Sequence, residues 1–132
     1  MTISWSRQPE LDRPALIAAF DGWNDAANAA TDALDWLMIR VPAIQFAQVD
    51  PEEWYDFQAA RPRVEVTNGV LQRLTLPRTE FFSARLTGDR DLILVRGAEP
   101  NLRWSRFCDE ILDLAEGLGC DMVITLGALL AD

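Results

Sequence analysis

The segment 15–38 constrains the fold of this chain most strongly, because an apolar run leads through a short polar turn into an alanine-rich stretch. Residues 15–20 are almost entirely apolar, which is typical of a central strand covered on both faces. The turn at residues 21–25 reads Asp-Gly-Trp-Asn-Asp. In an open α/β sheet, ligands and contacts collect at strand-to-helix turns of this kind. The segment therefore predicts a sheet with helices packed on it.

The helix predicted after this turn has both capping and packing signals. Asn24 or Asp21 is expected to cap it, and Asp25 suits its acidic first turn. Its apolar side chains recur at helical spacing and form one stripe. They are Ala27, Ala30, Leu34, Leu37 and Met38. Strand and helix together indicate a βα unit.

Three more strands and a hairpin complete the predicted sheet. Residues 44–49, 92–95 and 122–126 have the length of strands, and the last two are apolar runs that are expected to be buried. Residues 64–76 alternate around Asn68-Gly69, and an Asn-Gly pair between alternating runs is the strongest short hairpin signal.

A short helix is predicted directly after the strand at residues 44–49. Asp50 caps it and Pro51 is its first residue, since proline at that position sacrifices no hydrogen bond. Three aromatic residues follow, and we expect them to be partly exposed. They are Trp54, Tyr55 and Phe57.

A longer helix is predicted between residues 101 and 119, where apolar residues again form one stripe. The stripe comprises Trp104, Phe107, Cys108, Ile111, Leu114, Ala115 and Leu118. Gly117 or Gly119 ends the helix. It joins two apolar strands, and such a connection predicts a parallel crossover.

Two parts of the chain lack these patterns. Residues 1–14 are polar and contain two prolines, so they are interpreted as a lead-in to a single domain of residues 15–132. Residues 77–90 form a connection in which Phe81 and Phe82 belong to another short strand or helix. The apolar run at residues 122–126 is followed by no covering helix, which predicts a fragment truncated at its C-terminal end.

Length and charge exclude several classes of protein. A chain of 132 residues has the size of one domain. Its net charge of -9 repels phosphate backbones, and no cluster of arginines offsets it in the sequence, so no nucleic acid partner is expected. No positively charged start precedes a long apolar run, so the chain is predicted to have no membrane association and to be cytoplasmic.

The chain contains neither histidine nor lysine. Mechanisms that pair serine or cysteine with histidine are therefore excluded within it, as are a Walker lysine and a lysine Schiff base. Cys108 and Cys120 lack the spacing of a metal or redox motif. Cys108 lies on the apolar stripe of the longer helix and is interpreted as a packed free thiol.

Four short phrases, in this order and spacing, resemble the PAC2 family of proteasome-assembly-chaperone-like proteins, in its actinobacterial branch. They are residues 20–26, Arg61-Pro62, the Gly-Ala-Glu-Pro at residues 97–100 leading to Arg103-Trp104, and residues 126–132. The resemblance extends from Ala15 to the last residue, and it implies the N-terminal portion of a longer domain. The implied fold is α/β, in three α/β/α layers with a mixed, largely parallel sheet plus the β-hairpin, similar to nucleoside phosphorylases. The resemblance also implies homo-oligomers and protein partners, without a catalytic residue set to carry over.

If the strands before them are parallel, three turns meet at one edge of the sheet, at residues 21–25, 96–103 and 127–132. Their side chains are then expected to line one cleft, the usual ligand position in such a sheet. The candidate residues are Asp21, Trp23, Asn24, Arg96, Glu99, Arg103 and Trp104. The structural alternative is that the polar residues cap a helix and the tryptophans pack.

The first turn is a poor match for a phosphate or metal site. A phosphate cradle needs several glycines and a positive field, whereas this turn has one glycine and two carboxylates. Asp21, Asp25, Asn28 and Asp32 lie near one helical stripe, but hard cations seldom take their ligands from successive turns of one helix. A solvated acidic face is expected instead, and no metal or cofactor is predicted.

Two functions remain. The first is an oligomeric assembly or chaperone-type interaction protein, suggested by the family resemblance and by the aromatic residues after Asp50. The alternative is a phosphorylase- or hydrolase-like enzyme that uses the cleft at the C-terminal ends of the strands. Likeness of fold is its main support.

Overall fold

A computed structural model of the chain describes residues 3–131. Met1, Thr2 and Asp132, which belong to the predicted lead-in and final turn, lie outside the described residues. Eight strands and three α-helices occur within the described part. In chain order they are β1 Ile3–Trp5, β2 Ala15–Asp21, α1 Ala29–Arg40, β3 Ile44–Val49, α2 Pro51–Trp54, β4 Arg63–Thr67, β5 Val70–Thr75, β6 Thr79–Ala84, β7 Leu92–Ala98, α3 Trp104–Gly117 and β8 Met122–Leu126.

Six of the described strands form one sheet in the order β1-β3-β6-β7-β2-β8, and the sheet is mixed, as predicted. β2 is parallel to both of its neighbours, β7 and β8. The pairings β7–β6, β6–β3 and β3–β1 are antiparallel. The sheet is therefore not largely parallel, although the resemblance implied that it is: only β7, β2 and β8 are parallel, and they set the edge where the predicted turns meet.

Helices cover both faces of the sheet, which confirms the three-layer prediction. On one face, Ala30 and Leu34 of α1 pack against Ala19 and Leu94 of the central strands. On the other face, α2 and α3 pack over a larger core. That core includes Leu16, Ala18, Trp54, Ile93, Val95, Phe107, Ile111 and Leu114. β2 and β7 are buried because both of their faces are covered, as their unbroken apolar runs predict.

Within the predicted lead-in, the structure places a short edge strand. Ile3 of β1 is 6% exposed and pairs with Val49 of β3. Only three residues form this strand, so its alternation is too short to detect from sequence.

Residues 79–84, for which the sequence left strand and helix open, form the inner strand β6. Its core-facing side chains alternate between apolar and polar: Phe81 is fully buried, and so is Thr79. Thr79 is satisfied by a 2.6 Å hydrogen bond with the Tyr55 hydroxyl, which no local pattern reveals.

The prediction of a buried strand at residues 122–126 is wrong. β8 lies at the edge of the described sheet, and its residues Met122, Val123 and Ile124 are 43%, 47% and 39% exposed. An apolar run indicates a strand, but burial depends on what lies beside it.

Two further predictions about burial are also wrong. Trp54 and Tyr55 are buried, because α2 is tucked under α3 and Trp54 packs edge-on against Phe107. Cys108 is exposed, since it lies one position beyond Phe107 and about 100° around the helix from the buried stripe.

The ends of α2 and α3 agree with the local signals. The Asp50 carboxylate accepts the Glu52 N–H at 3.0 Å, and Pro51 begins α2. Gly119 has a φ of +82° after α3. The N–H groups of Gly119 and Cys120 donate to the carbonyls of Glu116 and Ala115, which is a Schellman motif. Of the two glycines, Gly119 therefore supplies the left-handed residue after α3.

Candidate functional site

The turns that follow β2, β7 and β8 meet at one edge of the sheet. Asp21 is in register with Ala98, so β2 and β7 end side by side. The Glu99 N–H donates to the Asp21 carbonyl at 2.9 Å, and the Ala128 N–H donates to the Asn24 carbonyl at 2.8 Å. Backbone hydrogen bonds therefore hold the three turns together.

Asp25 caps the helix, rather than Asn24 or Asp21. Its Oδ1 accepts the N–H groups of Ala30 and Thr31 at 2.8 and 3.0 Å, and its Oδ2 accepts the Thr31 hydroxyl at 2.6 Å. Ala27 and Asn28 have φ values of 55° and 58° and form a separate short turn before α1, so Ala27 is exposed instead of packed.

Burial by itself raises the pKa of Asp25, which is 6% exposed. The hydrogen bonds from the Thr31 hydroxyl and from the N–H groups of Thr31 and Ala30 lower it, and the net pKa lies below the ordinary value. A carboxylate held in this way stays ionised and serves the fold.

Asn24 and Glu99 also support the turns. The Glu99 carboxylate accepts the Asn24 N–H at 3.3 Å and lies against Gly22, where a Cβ atom would overlap it. The Asn24 amide occupies the space beside Gly127 in the same way. Trp23 lies at the tip of the turn and is 95% exposed.

Asp21 and Arg96 line a cleft of about 720 Å³ on the α1 side of the sheet. It lies between the ends of the central strands, helix α1 and the base of the β4–β5 hairpin. Its charged lining residues are Asp21, Asp35, Arg61, Arg63, Arg78, Glu80 and Arg96, and its apolar ones include Met38, Leu76, Pro77 and Phe82.

Arg96 links two carboxylates across this cleft. Its Nε is 3.0 Å from Asp35 Oδ1, and its Nη1 is 3.8 Å from Asp21 Oδ2. Burial raises the pKa of Asp21, the positive charge of Arg96 opposes this, and the negative charge of Asp25 adds to it. The net pKa of Asp21 is above its ordinary value.

Arg103 and Trp104 are not among the residues that line this cleft. The Arg103 guanidinium contacts the Glu53 carbonyl and lies 3.7 Å from the Glu53 carboxylate, so it ties the start of α3 to α2. Trp104 is 55% exposed. Arg103 and Trp104 lie at the same edge of the sheet as Asp21. They are on the face that α2 and α3 cover, however, so the sheet separates them from the cleft.

Several cleft residues were missed in the sequence because they belong to four different elements or loops. Asp35 lies on α1, Arg63 begins β4, and Glu80 lies on β6. Arg61-Pro62 enters the sequence analysis only through the family resemblance. A charged residue on an amphipathic helix or strand looks solvated from sequence alone, and only the packing brings these together.

Among residues 3–131, no three acidic or cysteine side chains converge closely enough to hold a metal ion. In the same part of the chain, the helices are too short or too polar to span a bilayer.

The sequence profile of the PAC2 family matches residues 19–132. The chain belongs to the PAC2 family. A PAC2 family protein from Streptomyces avermitilis is 46% identical, with a TM-score of 0.80 over 89% of this chain and 51% of that one. A proteasome-assembly chaperone homologue from Mycobacterium tuberculosis is 43% identical, with a TM-score of 0.84 over 89% of this chain and 50% of that one.

An archaeal proteasome activator from Pyrococcus furiosus shares the fold of this PAC2 family member at 23% identity. Its TM-score is 0.64, over 94% of this chain and 49% of that one. The present chain therefore spans about half the length of these solved relatives. A comparison with curated proteins gave no match.

Proposed function

We propose that this PAC2 family member is a homo-oligomeric, chaperone-type interaction protein, and that its β4–β5 hairpin contacts a second copy of the chain. The observation that carries the proposal is an exposed apolar face on the hairpin. The Mycobacterium tuberculosis relative, named a proteasome-assembly chaperone homologue, supports a role in protein interaction.

The hairpin forms a separate two-stranded sheet. Asn68 and Gly69 both have positive φ, at 52° and 76°, as a two-residue turn of type I′ requires. Val64 pairs with Leu74 and Val66 with Leu71. Because paired residues share a face, we call Val64, Val66, Leu71 and Leu74 the hairpin face.

Each side chain of the hairpin face is between 58% and 60% exposed. An isolated two-stranded hairpin is marginally stable in water, since it has no core of its own. Fully burying one valine or leucine side chain is worth about 1.5–3 kcal/mol. Covering this face with a second copy therefore stabilises both the hairpin and the oligomer.

The proposal is tested with adjacent substitutions on opposite faces of β5. Leu71 lies on the hairpin face and Val70 on the other face, and both are 59% exposed. We expect Leu71→Asp to weaken self-association by at least roughly tenfold, or about 1.4 kcal/mol, because it places a charge in the contact. Val70→Asp adds the same charge outside it.

Analytical ultracentrifugation and light scattering measure the outcome. A wild-type chain that is strictly monomeric overturns the proposal. So does a Val70→Asp variant that dissociates as much as Leu71→Asp. We also propose that the protein is cytoplasmic. Fractionation of cells that express the tagged protein tests this location.

A second candidate is a phosphorylase- or hydrolase-like enzyme that uses the cleft. The raised pKa of Asp21 beside Arg96 favours it, because a carboxyl group of this kind suits proton transfer. The test is turnover of nucleosides with phosphate, or of nitrophenyl esters. Activity that survives Asp21→Asn contradicts this assignment.

A further inference from the structure

The cleft on the α1 side collects positive charge in a strongly acidic chain. Its lining has four arginines and three carboxylates, so it has one net positive charge, whereas the whole chain has a net charge of -9. Anions are repelled by most of the surface and attracted here. The distribution of this charge identifies the groups that are available to a ligand.

Two of the four arginines are neutralised by close carboxylates. Arg78 Nε lies 3.1 Å from Glu80 Oε1. Arg96 is held by Asp35 at 3.0 Å and by Asp21 at 3.8 Å. These guanidinium groups have protein partners and are oriented by them.

Arg61 and Arg63 are different. Both are exposed, and within residues 3–131 neither guanidinium group forms a hydrogen bond or ion pair. Arg63 acts on Asp21 only through the electric field of its positive charge, which lowers the pKa of the Asp21 carboxyl group. One residue, Pro62, separates Arg61 from Arg63 in the chain. They are the unsatisfied positive charge of the cleft.

A guanidinium group recognises the oxygens of a carboxylate or phosphate through paired N–H donors. The cleft also has an apolar wall, formed by Met38, Leu76, Pro77 and Phe82. Its volume of about 720 Å³ is within the range of small-molecule sites. An anionic group and an apolar body are therefore both accommodated.

We propose that this cleft binds a small organic oxyanion, whose carboxylate or phosphate is held by Arg61 and Arg63 while its apolar body lies on Met38 and Phe82. The site is distinct from the proposed oligomer contact: Arg63 and Thr75 at the base of the hairpin line the cleft, but neither belongs to the hairpin face.

The probes are phenyl phosphate, benzoate and inorganic phosphate, measured by calorimetry or by NMR titration of the purified chain. We expect phenyl phosphate or benzoate to bind, and the tighter of the two identifies the anionic group. Arg61→Ala together with Arg63→Ala is expected to weaken that binding at least roughly tenfold, and added salt to weaken it in the wild type.

The control is the double variant Arg73→Ala with Arg106→Ala, which changes net charge equally and leaves the cleft lining intact. Thermal unfolding shows whether the cleft variant is still folded, and we expect it to keep its Tm. Leu71→Asp shows whether binding depends on oligomerisation, and we expect this variant to keep ligand binding. The proposal is overturned if neither organic probe binds, if the control loses affinity equally, or if inorganic phosphate binds as tightly as phenyl phosphate.

Discussion

At the scale of single residues, buried carboxylates fix the loops at the two ends of the central strands. Asp25 accepts three hydrogen bonds at the start of α1. Asp91, which is 3% exposed, accepts the N–H groups of Asp12 and Leu86 at 2.7 and 2.9 Å. Burial would raise the pKa of Asp91, but these bonds lower it overall. A carboxylate in such a setting costs little to bury because its oxygens are satisfied.

Tyr55 is a third buried polar group, and its ionisation can be followed spectroscopically. Its hydroxyl donates to the Ala98 carbonyl at 2.8 Å and shares a 2.6 Å hydrogen bond with Thr79. Burial raises the pKa of Tyr55 to about 12. Because Tyr55 is the single tyrosine of the chain, tyrosinate absorbance reports it alone. We predict a midpoint near 12 for the folded chain, against about 10 in denaturant.

The raised pKa also determines the direction of a stability change. The folded chain binds this proton more tightly than the unfolded chain does, so the contribution of Tyr55 is complete below pH 10 and declines as the pH rises toward 12. Urea titrations across this interval measure the loss. Tyr55→Phe is expected to abolish the absorbance change, and a midpoint near 10 in the folded wild type contradicts the prediction.

At the scale of elements, the pairing of β6 with β7 depends on a close approach. Gly97 lies opposite Thr79, and a Cβ atom at Gly97 would overlap the Thr79 side chain and backbone. We predict that Gly97→Ala lowers the free energy of unfolding by about 1–3 kcal/mol, the usual cost of overpacking. Chemical denaturation measures it.

Gly88→Ala is the matched control for the Gly97→Ala substitution. Nothing lies within 4 Å of a Cβ atom at Gly88, so the same substitution is expected to leave stability nearly unchanged there. Equal effects of the two substitutions would show that the contact with Thr79 does not limit the pairing.

At the scale of the whole molecule, the hairpin is a separate unit on a three-layer body. It forms its own two-stranded sheet, and both of its strands are largely exposed. We predict that a short Gly-Ser linker in place of residues 63–75 leaves the six-stranded sheet folded, since the cores on both faces of that sheet contain no hairpin residue. Circular dichroism and thermal unfolding test the fold, and ultracentrifugation tests the expected loss of self-association.

This experiment separates two roles for the hairpin. A folded monomer supports the proposed contact with a second copy. Loss of cooperative unfolding in the shortened chain would instead assign the hairpin a structural role and contradict the prediction.

The sequence by itself determined the elements whose signals are local. The apolar run of β2, the Asp50-Pro51 start of α2 and the Asn68-Gly69 turn each arise from the conformations open to a few neighbouring residues. The family phrases added the three-layer arrangement, which helix packing on both faces of the sheet confirms.

Only the tertiary structure decided burial and the composition of the cleft. The apolar run of β8 is exposed because it lies at an edge, whereas the polar Thr79 is buried because Tyr55 satisfies its hydroxyl. Arg61 and Arg63 reach the same cleft as Asp21 from a distant part of the chain. Secondary structure depends on a residue's neighbours along the chain, but burial and charge pairing depend on neighbours in space, which packing alone determines.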